Sequence, residues 1–227
     1  MEPKIIYENK DVAVINKPAG LLVHDDGKGS EETLVDWLRV NFPEVATVGD
    51  DPAERPGIVH RLDKDTSGIM LIPRTQAYFE YLKDLFQQKR IKKTYWAVVK
   101  GSPRKDEGVI SSPISIKPGT IKRTTHGGKM TKEAVTSFRV LRRLDGYCLI
   151  EASPKTGRTH QIRVHLASIG SPVLGDTLYG SKKNKEEVPR QMLHARGIEF
   201  QLEPGKSVRL VADPPDDFQD ALADLEK

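Results

Sequence analysis

The residues from Gly57 to Gly68 offer more polar chemistry than a plain connection between two strands requires. Two carboxylates, two basic groups and two hydroxyls lie between an apolar pair and the apolar run Ile69–Ile72. Carboxylates, cations and hydroxyls in one short stretch are the groups that polar chemistry uses. Aspartate, threonine, serine and glycine also favour turns, because short side chains bond to the local backbone and glycine tolerates a positive φ. Local composition therefore leaves two interpretations open, a polar turn and a carboxylate site.

A second polar stretch, Thr156–Leu166, combines basic groups with two histidines. His160 and His165 are five residues apart with no glutamate between them, whereas a zinc-binding pair on a helix is usually four apart with a glutamate base. Cys148 is the single cysteine, so it cannot form an internal disulfide, and we expect it to be a small buried hydrophobe. Glycine-rich nucleotide loops and the G-x-S-x-G hydrolase turn are absent. The sequence therefore predicts no metal site.

The segment Asp63–Thr66 also resembles the D-x-D-x-T motif of aspartyl-phosphate phosphatases of the haloacid dehalogenase type. There the first aspartate attacks a phosphoryl group and Mg²⁺ neutralises charge. That class needs a parallel sheet and further acidic ligands downstream, but Asp176 is followed by Thr177–Tyr179 rather than by another acid. The phosphatase stays open as an alternative.

Charge is distributed unevenly along the chain. Residues 1–60 carry 6 Lys and Arg against 12 Asp and Glu, and residues 199–227 carry 3 against 8. Residues 88–143 carry 15 Lys and Arg against 3 Asp and Glu. Clustered cations release counterions from a phosphate backbone, so the basic middle predicts a face that binds a polyanion. We expect its most exposed part to be a basic loop at about 111–132.

Apolar periodicity predicts the elements that must position these residues. Thr33 and Thr75 are expected to cap two helices, and a third helix is predicted over Gly157–Gly170 with Thr159 as its cap and Ile169 facing inward. Alternating or β-branched runs predict strands at Lys4–Glu8, Val12–Asn16, Lys92–Val99, Ala134–Arg142, Tyr147–Ala152, Ile198–Leu202 and Ser207–Val211. Strands in turn-linked groups with few helices indicate the α+β class, a mixed, largely antiparallel β-sheet with packed helices.

Length and composition favour one soluble domain over residues 1–227, because no linker-like segment divides the chain. The first 20 residues lack the apolar segment of a signal peptide. No apolar run approaches the ~20 residues of a membrane span. We therefore expect a cytoplasmic protein that makes no membrane contact and is a monomer.

Four motifs, taken together and in order, resemble the RluA-type pseudouridine synthases: Lys17–Gly20, His60–Gly68, Lys93–Val98 and Thr156–Leu166. The resemblance runs from about Ile5 to Val211 and includes the glycine-bounded segment 170–180 and the segment 193–195. It implies a pseudouridine synthase-like fold and isomerisation of uridine to pseudouridine in structured RNA, either transfer or ribosomal, with no cofactor. Many relatives begin with an S4 RNA-binding domain, which we expect to be absent here. A non-catalytic RNA-binding protein that uses the same basic face is a further alternative.

The resemblance also implies the roles of the catalytic residues. Asp63 would be the nucleophile or key carboxylate, and Arg163 would pair with it and keep it ionised. Tyr95 would stack on the uracil and could assist proton removal at C5. A surface helix residue is the plain interpretation of Arg163, and a core tyrosine that of Tyr95.

The same resemblance implies the residues that bind the substrate. Ile162 would contact the base, and Arg61 could fill the gap left when the target uridine leaves the stack. His60 would contact either a phosphate or the turn itself. Lys122 and Arg123 in the basic loop would follow RNA phosphates, which raises affinity without reading sequence.

Overall fold

A computed structural model describes residues 2–25, 32–120, 122–180 and 188–227 of the chain. Strands outnumber helices among these residues, as the alternating apolar runs predict. In chain order the elements are β1 (Lys4–Glu8), β2 (Val12–Lys17), α1 (Leu34–Asn41), a 3₁₀ helix (Pro43–Thr47), β3 (Ser67–Pro73), α2 (Gln76–Gln87), β4 (Lys92–Lys100), β5 (Glu107–Ser111), β6 (Ile114–Ile116), β7 (Arg123–Thr124), β8 (Lys129–Lys132), β9 (Val135–Leu144), β10 (Tyr147–Pro154), α3 (Gln161–Ser168), β11 (Leu193–Glu203), β12 (Lys206–Val211) and α4 (Asp216–Asp224).

The chain divides into two compact units. The first, which we call the Asp63 unit, contains the chain up to Ile91 together with Ala195–Asp213. The second, the Tyr95 unit, contains Lys92–His194 together with Pro214–Lys227. The chain crosses from the second unit to the first within β11. The expectation of a single domain over residues 1–227 stays a prediction.

In the Asp63 unit the strand order is β1-β2-β3-β11, and β12 pairs with β11. The pairs β1–β2, β2–β3 and β11–β12 are antiparallel. Strands β2 and β3 are apolar and buried over most of their length, which is typical of strands covered on both faces. Gly68, the second residue of β3, has φ 121°, and a Cβ on it would lie 2.3 Å from the carbonyl oxygen of Ala195. Only glycine allows this approach.

The two helices of this unit begin at the predicted threonines. Thr33 Oγ accepts the N–H of Asp36, and the Asp36 carboxylate accepts the N–H of Thr33. This reciprocal capping box satisfies two backbone donors at the start of α1. Thr75 Oγ accepts the N–H of Tyr78 at the start of α2. Both caps confirm the predictions from sequence.

In the Tyr95 unit the main strand order is β4-β10-β9-β5, again antiparallel, and a second small sheet has the order β7-β6-β8. Alternate residues of a strand point to opposite faces, and both faces of β4 and β10 are apolar. One face packs with Ile162 and Leu166 of α3, and the other packs with Phe218 and Ala221 of α4. Cys148 is buried in the first cluster, as expected.

Two predicted elements differ from the structure. Helix α3 runs only from Gln161 to Ser168, and its N-cap is His160 in the left-handed region (φ 57°) rather than Thr159. Ile169, expected to face inward, lies beyond the helix end and is 38% exposed. The segment 111–132, expected to be a loop, contains the end of β5 and the three strands β6, β7 and β8.

The antiparallel pairs and the helices packed on them confirm the α+β class. No helix in the described part of the chain is long and apolar enough to cross a membrane.

Candidate active site

Asp63 lies at the start of a tight turn that leads into β3. Its carbonyl oxygen accepts the N–H of Thr66 at 3.1 Å, and its side chain is half-buried. Buried Lys17 anchors this turn: its Nζ donates to the carbonyl oxygens of Lys64 (3.0 Å), Pro18 and Leu21 (both 2.8 Å). The segment is therefore a polar turn, and a buried ammonium group fixes the backbone that carries the carboxylate.

His60 supports the same region from the other side of the turn. Its Nε2 accepts the N–H of Leu71 in β3 at 2.8 Å, and its ring packs on Phe86 at 4.9 Å between centroids. An acceptor Nε2 is unprotonated, so this ring is held neutral in this arrangement. The expected contact of His60 with a phosphate or with the turn stays a prediction, and the contacts described here are with β3 and α2. The exposed Arg61 lies 3.1 Å from His24 Nε2.

In the Tyr95 unit, Tyr95 and Ile162 belong to the same apolar face. Tyr95 pairs with Ala152 on β10 and packs half-buried against the cluster that contains Ile162. Lys93, two residues earlier on β4, projects to the same side, with its Nζ 3.5 Å from the carbonyl oxygen of Thr156. Burial lowers the pKa of the Lys93 ammonium to about 8. An aromatic ring, an aliphatic side chain and a titratable amine thus share one face.

Arg163 is buried and forms a bidentate ion pair with Asp176. Its Nε donates to Asp176 Oδ2 at 2.7 Å and its Nη2 to Oδ1 at 2.9 Å. Oδ1 also accepts the N–H groups of Leu178 and Tyr179. Burial alone would raise the pKa of the Asp176 carboxyl, but the guanidinium and the two N–H groups outweigh it and lower that pKa. Arg163 is therefore held as a rigid cation rather than lying on the helix surface.

Tyr179 connects this ion pair to the small sheet. The guanidinium of Arg163 lies 5.3 Å from the centroid of the Tyr179 ring. The Tyr179 hydroxyl accepts the N–H of Arg123 in β7 at 2.8 Å and hydrogen-bonds with His160 Nδ1 at 2.9 Å. One side chain thus contacts Arg163, the N-cap of α3 and a strand of the basic sheet.

A buried polar network fixes the other end of the small sheet. His165 on α3 hydrogen-bonds through Nδ1 with Thr136 Oγ and through Nε2 with the carbonyl oxygen of Ser112, just before β6, both at 2.9 Å. Gln161 donates to the same Thr136 hydroxyl at 3.0 Å. Burial lowers the pKa of His165, although its bond to Ser112 opposes that shift. The ring is therefore a neutral structural group.

The predicted residues fall into two groups, one in each unit. His60, Arg61 and Asp63 share the turn region of the Asp63 unit. Tyr95, Ile162, Arg163, Lys122 and Arg123 belong to the Tyr95 unit. Lys122 and Arg123 are partly exposed on or beside β7. The pairing of Arg163 with Asp63 stays a prediction, and a guanidinium with five N–H donors can bind a second carboxylate besides Asp176.

Four residues that support the predicted ones were not identified from the sequence as site residues: Lys17, Lys93, Asp176 and Tyr179. Asp176 and Tyr179 stand in the segment G-D-x-x-Y-G at 175–180, so the signal was present. That segment contributed to the resemblance, but no role followed from it. Arg163 requires the Asp176 carboxylate, because a buried cation is stable only when it is paired, and the Tyr179 ring lies beside the same guanidinium.

Comparison with known proteins places these motifs in context. The family model described as RNA pseudouridylate synthase matches residues 11–168. An uncharacterized RNA pseudouridine synthase of Aquifex aeolicus is 44% identical over 195 residues, which are 85% of this chain and 60% of that protein. Ribosomal large subunit pseudouridine synthase D of Borreliella burgdorferi is 34% identical over 223 residues, 98% of this chain and 68% of that protein. The chain thus spans about two thirds of these two relatives.

A solved structure, human RNA pseudouridylate synthase domain containing 4, has the same fold. Its TM-score is 0.77 and its sequence is 27% identical, and the match covers 98% of this chain and 92% of that one.

Proposed function

Because the chain belongs to the RNA pseudouridylate synthase family, we propose that it isomerises uridine to pseudouridine in RNA through the carboxylate of Asp63. The observation that carries this proposal is the family match over residues 11–168, which spans the segments of Asp63, Tyr95 and Arg163. The fixed turn around Asp63 supports it further, since a reacting carboxylate must be held in one geometry.

The reaction breaks the N1–C1′ glycosidic bond and forms a C5–C1′ bond, after which C5 loses its proton and N1 gains one. The Asp63 carboxylate acts at the sugar or the base as nucleophile. Tyr95 stacks on the uracil and assists removal of the C5 proton, and Ile162 contacts the base from the same face. Arg163 keeps the Asp63 carboxylate ionised. Its rigid attachment to Asp176 supports this role, because a preorganised cation needs no rearrangement during the reaction.

The target uridine must leave the base stack before the reaction. Arg61, exposed beside the turn, fills the space that the base vacates. Lys122 and Arg123 bind the phosphates of the same RNA. We propose large-subunit ribosomal RNA as the substrate, because the relative from Borreliella burgdorferi is named for that activity. The enzyme would act in the cytoplasm and as a monomer.

The test compares Asp63→Asn with Asp65→Asn, its matched control in the same turn. RNA is transcribed with uridine tritiated at C5, and tritium release reports loss of the C5 proton. We expect Asp63→Asn to abolish release and Asp65→Asn to retain most of it, because Asp65 is exposed and is given no role in the proposed reaction. Wild-type turnover by Asp63→Asn would exclude the assigned role.

The same experiment separates the alternatives. A non-catalytic RNA-binding protein would bind the transcript, release no tritium and be indifferent to Asp63→Asn. A phosphatase would release phosphate from a small ester in a Mg²⁺-dependent reaction, and that activity would be lost with a chelator.

A further inference from the structure

The small sheet β7-β6-β8 is a strongly cationic surface. Residues 111–132 include five Lys and Arg and no Asp or Glu. Lys129 and Lys132 on β8 are exposed, and Lys117 precedes the turn that leads to β7. Glu133, the residue after β8, is exposed as well, so the surface is predominantly rather than purely cationic. Such a surface suits a polyanion, and under the proposed function that polyanion is RNA.

Met130 is an apolar side chain in the middle of this cationic surface. It is 69% exposed and lies between two polar residues of the same strand, Lys129 and Thr131. Isolated exposed apolar residues are common on proteins, so exposure alone has little meaning here. Its backbone distinguishes it.

The backbone at Met130 forms a bulge. Between the pairs Ile116–Lys129 and Ile114–Lys132, β6 has one intervening residue and β8 has two, Met130 and Thr131. Met130 has φ 53°, in the left-handed region that disfavours residues with a Cβ. The residue with positive φ in such a bulge is commonly glycine. Methionine at this position therefore works against local stability and turns an apolar side chain out of the sheet.

The preceding turn fixes this arrangement. A Cβ on Gly128, at φ 145°, would lie 2.6 Å from Ser115 Oγ and 2.7 Å from the carbonyl oxygen of Ile116. The Ser115 hydroxyl donates to the carbonyl oxygen of Gly127 at 3.1 Å. Glycine is used where β6 and the turn must approach closely, yet it is not used two residues later at Met130.

The sheet is also attached to the predicted active-site cation. The Arg123 N–H binds the Tyr179 hydroxyl, and the ring of Tyr179 lies against Arg163. An RNA strand that reaches Arg163 in the Tyr95 unit therefore has the basic sheet available to bind its neighbouring nucleotides.

We propose that Met130 packs against an unpaired RNA base while Lys129 and Lys132 bind the flanking phosphates. This inference rests on the proposed function for the identity of the polyanion. Apolar side chains, methionine among them, insert beside bases in nucleic-acid complexes whose cations hold the backbone. A base face is an apolar partner that a purely phosphate-binding surface does not need. The bulge provides the required geometry by projecting one thioether from a row of lysines.

The test measures binding of two polyanions, an RNA stem-loop with a single-stranded uridine-rich loop, and heparin, which has no bases. Met130→Gly should weaken RNA binding by about fivefold and leave heparin binding unchanged. This change suits the backbone, because glycine accepts φ 53° without strain. Val109→Ala is the matched control: Val109 is 62% exposed in the same unit but lies on β5, outside the cationic strands.

Met130→Lys separates base contact from charge. If phosphates alone bind here, the added cation strengthens RNA binding. If Met130 packs on a base, RNA binding weakens while heparin binding stays equal or rises. Met130→Trp should bind RNA at least as tightly as the wild type, because an aromatic ring stacks on a base at least as well as a thioether.

Three outcomes would overturn the inference: wild-type RNA binding by Met130→Gly, an equal loss for RNA and heparin, or stronger RNA binding by Met130→Lys. None of these measurements requires turnover. A chain that releases no tritium yet binds RNA through Met130 would refute the proposed isomerase and keep this contact.

Discussion

Replacing Asp176 by asparagine tests the claim that a buried ion pair fixes Arg163. The side chains of Arg163 and Asp176 are 7% and 0% exposed, so neither group can be solvated when its partner loses its charge. Removal of one charge from a buried pair costs about 3–5 kcal/mol. Asparagine keeps the shape of the carboxylate and one acceptor oxygen. We therefore expect Asp176→Asn to lower the free energy of unfolding by about 3 kcal/mol, the lower end of that range.

The chain offers a control with the same geometry but different solvent exposure. Arg190 binds Asp217 through Nε to Oδ2 at 2.6 Å and Nη2 to Oδ1 at 2.9 Å. The Asp217 side chain is 36% exposed, and water can replace part of what is lost. Asp217→Asn should therefore cost only about 1 kcal/mol. Urea unfolding of both variants, followed by circular dichroism, measures the two costs.

The pH dependence gives the comparison a second test. The pKa of Asp176 is lowered in the folded chain, so its contribution is fully present above the unfolded-state pKa of about 3.9 and is lost as pH falls through the folded value. The difference between wild type and Asp176→Asn should be constant above about pH 5 and shrink in more acidic solution. Two results would refute the claim that burial makes the Arg163–Asp176 pair more costly to break. One is an equal loss of unfolding free energy in Asp176→Asn and Asp217→Asn. The other is a difference between wild type and Asp176→Asn that grows as the pH falls.

Two further changes follow from the same region. Tyr179→Phe keeps the ring against Arg163 but removes the hydroxyl that accepts the Arg123 N–H, so we expect a severalfold lower kcat on RNA. The control is Tyr78→Phe, which removes a hydroxyl that donates to the carbonyl oxygen of Leu202 and should leave kcat unchanged. Equal kcat values for the two variants would contradict a link between the Tyr179 hydroxyl and catalysis. Lys93→Met should stabilise the fold at pH 7, because burial lowers the Lys93 pKa to about 8 and a charged amine there is unfavourable. The native chain binds fewer protons than the unfolded chain between that pKa and about 10.4. The gain, measured by urea unfolding, should therefore diminish as pH rises through this interval, and a gain that increases with pH would exclude the assignment.

The strands could be predicted from the sequence because apolar alternation is a local signal. β1 matches its predicted bounds, and β2, β4 and β10 differ from theirs by one or two residues at one end. β11 starts at Leu193, five residues before the predicted Ile198. The second residue of β11 is His194, which is completely buried and whose ring lies near that of Phe218 in α4. A buried histidine inside a strand depends on a distant partner, so no local pattern could indicate it.

Helix α3 was predicted too long for a related reason. Apolar spacing from Ile162 onward is helical, but the residues before it take a turn in which His160 adopts φ 57°. A positive φ is uncommon for residues other than glycine, although histidine adopts it more often than most, so the local sequence does not determine this conformation. Its ring contacts Tyr179, nineteen residues later, and hydrogen-bonds with the Tyr179 hydroxyl. The start of the helix is therefore set by a tertiary contact, which overrides the periodic signal.

The candidate site shows the same division between reacting groups and the groups that hold them. Asp63, Tyr95 and Arg163 could be proposed from the sequence only because they lie in motifs that resemble those of a known family. Local composition alone left each of them with a plain structural interpretation. Lys17 and Asp176 are as polar as these three, but nothing local marks them as partners of a distant turn or helix. Both are buried and each is held by hydrogen bonds: Lys17 donates to three carbonyl oxygens, and Asp176 accepts from one guanidinium. Arg163 adjoins the apolar stripe of α3, so its sequence position leaves exposure and burial equally open. Once Arg163 is known to be buried, it must have a carboxylate partner. A supporting residue such as Asp176 can therefore be predicted from the burial of Arg163, but not from the local sequence.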